Sequence, residues 1–104
     1  MTDEVKSRAV VKYTSSGNSP FPYANPEAVL GMNVQNAAEL VRYAEELVVE
    51  TLDLFPLGWR GDQNNLDLSQ AMELIGASIR ERHPELDVEA ASALAWMWGY
   101  SAWK

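Results

Sequence analysis

Pro56 closes the longest helical pattern in the chain, and that pattern limits what the other residues can form. Residues 33–55, NVQNAAELVRYAEELVVETLDLF, contain neither proline nor glycine. At 3.6 residues per turn, Val34, Ala37, Val41, Ala44, Val48, Leu52 and Phe55 fall on one line, as a buried helical face requires. Asn33 suits the N-cap, where its side-chain oxygen can accept a backbone N–H of the first turn. Pro56 has no N–H to donate and restricts the residue before it, so the helix stops there. Glu39, Arg42, Tyr43, Glu46, Glu50 and Asp53 line the opposite side. Arg42 is spaced to pair with Glu39 and Glu46, for ~0.2–0.5 kcal/mol each. Leu40, Leu47 and Leu54 recur every seven residues on one flank of the buried line. The apolar arc is thus wider than one neighbour needs, which marks these three leucines as candidate partner-binding residues.

Two further helices follow from similar signals. Asp67 with Gln70 makes a capping-box start for a helix over about 68–83, with Leu68, Ala71, Met72, Ile75 and Ile79 inward. Gln70, Glu73, Ala77, Arg80 and Glu81 face outward, and Pro84 ends the pattern. Asp87 caps a third helix over about 88–103, which is apolar nearly all the way round. Such a helix is central to a bundle or faces a partner as well as its own core. Asn25 and Pro26 begin a short helical turn at 26–30, ended by Gly31.

The N-terminal stretch reads differently. Residues 8–14, RAVVKYT, are β-branched and aromatic, so they form the one convincing strand candidate. The turn formers from Ser15 to Pro20 break it off. No second strand of similar quality exists, so the segment either pairs outside the chain, lies irregularly on the helices or is disordered until bound. The fold class expected is therefore mainly α. A compact bundle of three main helices (about 33–55, 68–83 and 88–103) joins the turn at 26–30 and an N-terminal arm with one possible strand at 8–14. Residues 1–25 read as an arm, of which 1–19 are expected to be dispensable for folding, and 26–104 as a single helical domain, with Phe21 and Tyr23 of the arm placed to lie across the helices.

A chain of 104 residues can bury one core unaided. With no cysteine, disulfides and thiolate metal sites are excluded. The net charge of −7 is uneven: residues 1–20 sum to +1 and the remainder to −8. An acidic body disfavours nucleic acid as a direct partner, because phosphate binding needs clustered Lys and Arg. The N-terminus lacks the apolar core of a signal peptide, and no apolar run approaches the ~20 residues of a membrane span. A cytoplasmic protein without a membrane partner is expected.

Candidate chemistry is sparse. His83, the single histidine, sits beside Pro84 at a helix end, where a structural role with the free carbonyls is expected. Without cysteine and with one histidine, a Cys–His pair or a multi-histidine metal site cannot be assembled from one chain, and no serine sits in a Gly-x-Ser-x-Gly pattern. The run from Asp62 to Asp67 resembles a calcium loop until Leu66 and Asp67, which replace the oxygen donor and the glycine such a loop needs. Trp59 and Gly61 between two helical patterns bear a superficial resemblance to the small helical-hairpin proteins of the WXG family. Pro20, Pro22, Pro26 and Pro84 interrupt the two helices of that family, and Lys104 stands where its terminal acid would follow Tyr100. Nothing is carried over from it. No catalytic residue, metal site or cofactor is assigned.

Trp96, Trp98, Tyr100 and Trp103 form the strongest remaining feature. Trp96, Tyr100 and Trp103 share one direction, whereas Trp98 points elsewhere. Tryptophan and tyrosine dominate interfaces because they bury large area and keep a polar handle. The expected function is a non-enzymatic protein–protein interaction module, a small homo-oligomer (a homodimer in the first instance) or a subunit of a bacterial or phage assembly. Trp96, Tyr100 and Trp103 join Leu40, Leu47 and Leu54 as its contact residues. The rival is an acidic inhibitor that mimics nucleic acid through Glu39, Glu46, Glu50 and Asp53.

Overall fold

Asp3 opens a helix where a strand was expected. Its carboxylate accepts the Lys6 N–H at 3.1 Å, Glu4 complements the first turn and Lys12 the last, and Ser15 leaves the helix in the left-handed region at φ 66°. The computed structural model describes residues 3–16, 20–32, 34–55 and 67–102, and α1 spans Glu4–Thr14. The strand at 8–14 is thereby corrected to helix. β-Branched residues disfavour a helix by only tenths of a kcal/mol each, and burial of Ser7, Ala9, Val10, Tyr13 and Thr14 along one helical face outweighs that preference.

Four more helices follow: α2 Pro26–Leu30, α3 Ala37–Leu54, α4 Leu68–Arg82 and α5 Val88–Ala102. Among the described residues there is no strand. Asn25 caps α2 through the Ala28 N–H (3.2 Å). Asp67 and Gln70 complete the expected capping box of α4, at 2.8 and 3.1 Å, and Asp87 accepts the Ala90 N–H at 2.8 Å to start α5. The start of α3 falls later than the pattern suggested. Asn36, at φ 64°, precedes the first helical residue and makes no side-chain cap, while Asn33 lies outside the described residues.

The apolar arc of α3 is rotated from its expected centre. Leu40, Ala44, Leu47 and Thr51 are its buried line, with Val41, Val48, Leu52 and Phe55 packed at the margin. The wide arc is used within the chain, because α3 meets α1, α2 and α5. α5 is the central element and packs on α1, α3 and α4. Ala90, Ala91, Ala93 and Ala95 let its neighbours approach closely, and Leu94 and Trp98 fill the remaining space. On α4, Ala71, Ile75 and Ile79 face inward as expected.

Polar contacts tie α1 to the far end of the chain. The Asp3 N–H donates to the Glu85 carbonyl at 2.6 Å, and the Ser7 hydroxyl accepts the Asp87 N–H at 3.0 Å. Ser7 is buried, as are Thr14, Ser15 and Thr51, and each of these hydroxyls finds a backbone partner. No described helix is long and apolar enough to cross a membrane.

Candidate functional site

Three aromatic rings stand half exposed on one part of the surface: Phe21 at 48%, Tyr23 at 47% and Tyr100 at 49%. The Phe21 ring lies 6.2 Å from that of Tyr100 at an interplanar angle of 30°, and 6.3 Å from that of Tyr23 at 51°. Both separations fall in the range of aromatic pairs that attract beyond simple area burial.

The backbone explains why the rings meet. Leaving α1, Ser15 donates its hydroxyl to the Tyr23 carbonyl at 3.1 Å, and the Asn25 N–H donates to the Tyr13 carbonyl at 2.8 Å. Pro22 is buried between its two aromatic neighbours. These bonds hold residues 23–25 against the end of α1, and Phe21 and Tyr23 stand exposed, with the Phe21 ring reaching Tyr100 of α5. Trp96, one helical turn before Tyr100, is partly buried. Trp103 lies outside the described residues, as do residues 56–66 with the tryptophan–glycine motif and most of the calcium-like run.

Trp98 is different. It is 1% exposed, and its indole N–H donates to the Phe55 carbonyl at 2.6 Å, which fastens the end of α3 to α5. Of the three leucines spaced by seven, Leu40 and Leu47 belong to the core of the chain, and Leu54 stays 38% exposed. The sequence pattern holds these two leucines equally suited to an internal or an external neighbour, so it could not separate them from Leu54.

The acidic residues divide in the same way. Glu39, Glu46 and Asp53 are exposed. Glu50 turns to the end of α4, where its carboxylate meets His83 Nε2 at 2.6 Å and Arg82 Nε at 3.4 Å. Among the described residues Arg82 pairs with Glu50 and Arg8 with Glu4, and His83 lies against Glu50 and Glu85, so Arg42 pairs with neither Glu39 nor Glu46.

His83 belongs to a polar clasp joining four parts of the chain. Its Nδ1 lies 3.5 Å from Glu85, whose carboxylate accepts the Tyr43 hydroxyl at 2.5 Å, while Lys6 Nζ stands 5.1 Å above the Tyr43 ring. Burial raises the Tyr43 phenol well above its ordinary value, and the Glu85 hydrogen bond and the charges of Glu85, Asp3 and Glu50 add to the effect. Burial alone would raise the Glu85 carboxyl. The Tyr43 hydroxyl, the backbone, His83 and Lys6 together outweigh it and hold Glu85 below its ordinary range. Both ring nitrogens of His83 are engaged by carboxylates, and this cluster links α1, α3, the end of α4 and the turn before α5. No group of three or more His, Asp or Glu among the described residues is arranged to hold a metal ion. Compared with protein-family models, curated proteins and solved structures, the chain matches none.

Proposed function

We propose that this chain is a non-enzymatic protein–protein interaction module that associates through the aromatic patch of Phe21, Tyr23 and Tyr100, with Trp96 at its edge. The observation that carries this reading is the three half-exposed rings, positioned by hydrogen bonds of the backbone and by α5. Rigid aromatic side chains lose little conformational freedom on binding and bury much area, which suits them to the centre of an interface. The first partner proposed is a second copy, since a homodimer uses the same patch twice. In its setting the protein is then a small cytoplasmic homo-oligomer or a subunit of a bacterial or phage assembly, without cofactor.

Light scattering over a concentration series tests the reading. Tyr100→Ser and Phe21→Ser are expected to weaken association while leaving the melting temperature nearly unchanged. Leu94→Ala, in the core, is expected to lower stability by ~2–5 kcal/mol. A wild type that stays monomeric, with Tyr100→Ser strongly destabilised, would assign the rings to the fold alone.

The exposed carboxylates of Glu39, Glu46 and Asp53 favour the second reading, an acidic inhibitor occupying the nucleic-acid-binding site of an enzyme. That mode requires partner binding to weaken steeply with salt, whereas association through the aromatic patch is nearly insensitive to it.

A further inference from the structure

Between α1 and the start of α5 lies a cleft of about 420 Å³, walled by Glu4, Arg8, Val11 and Lys12 on one side and by Asp87 and Glu89 on the other. Arg8 meets Glu4 at 3.2 Å, and Asp87 accepts the Ala90 N–H that starts α5. Lys12, Glu89 and the apolar Val11 complete the lining, so the cleft offers cations, a carboxylate and an apolar wall together.

This cleft and the aromatic patch occupy opposite ends of one surface. Ser7 of α1 accepts the Asp87 N–H at the start of α5, and Phe21, beyond the end of α1, meets Tyr100 near the end of α5. The two helices therefore run in the same direction, with the cleft at one end and the rings at the other. Glu89 and Tyr100 are separated by eleven positions. At 3.6 residues per turn they fall within about 20° of one another, about 16 Å apart along the axis. Trp96, partly buried, falls on the same line between them. Glu89 is the one charged residue of α5, so the surface from the cleft to the rings carries no like charge to oppose a second α5.

We propose that the aromatic patch of one copy enters the α1–α5 cleft of a second copy, and reciprocally, about a two-fold axis level with Leu94 and Ala95. That contact presupposes the self-association proposed for the patch and adds the surface that receives it. A two-fold rotation that sets two α5 helices antiparallel exchanges the position of Glu89 with that of Tyr100. Each phenol hydroxyl then comes opposite a carboxylate that can accept it, and Trp96 comes opposite the small Ala93. Arg8 and Lys12 stand beside the entering Phe21 and Tyr100 rings, whose faces attract cations. Rings set against rings would leave those cations and Glu89 without this complement. Three half-exposed rings offer roughly 100 Å² each, or about 300 Å² per patch. With a similar area lost by each cleft, two contacts total about 1,200 Å², the lower edge of specific interfaces. A weak dimer, dissociating on the order of 10 μM, fits that size.

Sedimentation of the full chain over a concentration series, with two variants and their mixture, tests the contact. The patch variant carries Phe21→Ser and Tyr100→Ser, and the cleft variant carries Arg8→Gln, Lys12→Gln and Glu89→Gln. Each alone should weaken self-association roughly tenfold. Leu74→Ser, at a half-exposed position of α4 outside both surfaces, should leave it unchanged. Circular dichroism and thermal melts verify that each variant keeps the fold. If the triple variant melts early, Glu89→Gln alone replaces it, with an expected weakening of about threefold. A mixture of the patch and cleft variants should associate several-fold more strongly than either alone. In the mixed dimer one patch meets one intact cleft, and a contact already lost cannot be lost twice. A cleft variant that associates like the wild type would mean that rings meet rings, which overturns this contact and leaves the aromatic-patch reading standing. No gain on mixing two folded variants would also overturn it. A wild type that stays monomeric throughout would overturn both.

Discussion

Replacing Val10 with alanine tests whether α1 belongs to the core. Val10 has no exposed surface, and it lies among Ala9, Tyr13 and the buried residues of α5 in one cluster. Removing two buried carbon groups forfeits ~1.6 kcal/mol of transfer energy at ~0.8 kcal/mol each. The cavity left behind adds to this, and the better helix propensity of alanine returns up to ~0.7 kcal/mol. The net expected loss is about 1–2.5 kcal/mol. Val5, on the same helix, is 41% exposed and supplies the matched control. Val5→Ala has the same propensity gain with little burial to lose, so its stability should stay within ~0.5 kcal/mol of the wild type or rise slightly. Urea unfolding followed by helical circular dichroism reads both, with an unchanged slope showing that the unfolding reaction is the same. In thermal melts the difference should appear as roughly 5–15 °C. Equal midpoints for the two variants would mean that α1 is not docked, and the reasoning from burial would fail. Deleting residues 1–19 should be more severe still, since it also removes the Asp3 and Ser7 bonds to the turn before α5.

Other expectations follow from single contacts. Gly76 lies inside α4, and a Cβ added there would meet the Ala91 carbonyl oxygen at an ordinary 3.9 Å. Gly76→Ala should therefore stabilise the protein by ~0.5–1 kcal/mol in urea melts, and a loss would show that α4 and α5 pack more tightly than this spacing. Tyr43→Phe removes the hydroxyl bonded to Glu85 and should cost on the order of 1 kcal/mol near neutral pH, because Glu85 keeps its other partners and some solvent. The pH profile has two arms. Glu85 is held below its ordinary 4.5, so its contribution is present above that value and is lost as pH falls through the folded value. Tyr43 is raised above 10.0, so its contribution is whole below pH 10.0 and declines as pH rises beyond it. Tyr43→Phe should flatten the alkaline arm and weaken the acid one, and superimposable stability profiles for variant and wild type would refute this account.

Much of the architecture follows from local sequence. The helices from Leu68 and Val88 start at Asp67 and Asp87 because a short acidic side chain can accept the unpaired N–H groups of a first turn. Ala71, Ile75 and Ile79 face inward because their spacing matches the helical period. Both signals operate within a few residues and need no tertiary information. Residues 8–14 show where this kind of reading fails. Their β-branched composition favours a strand by a small margin, whereas docking Val10 and Tyr13 on the core and anchoring Asp3 at Glu85 involve residues some eighty positions apart. The Asp3 cap and the Glu4–Arg8 pair were the local signs of a helix, and each carries too little energy to decide alone. The same division holds for the surface. Helical spacing alone sets Trp98 apart from Trp96 and Tyr100, but only the packed chain shows that Leu40 and Leu47 are inside and Leu54 is at the rim. The meeting of Phe21 with Tyr100 is likewise tertiary, since hydrogen bonds from Ser15 and Asn25 steer an irregular segment that no periodicity describes.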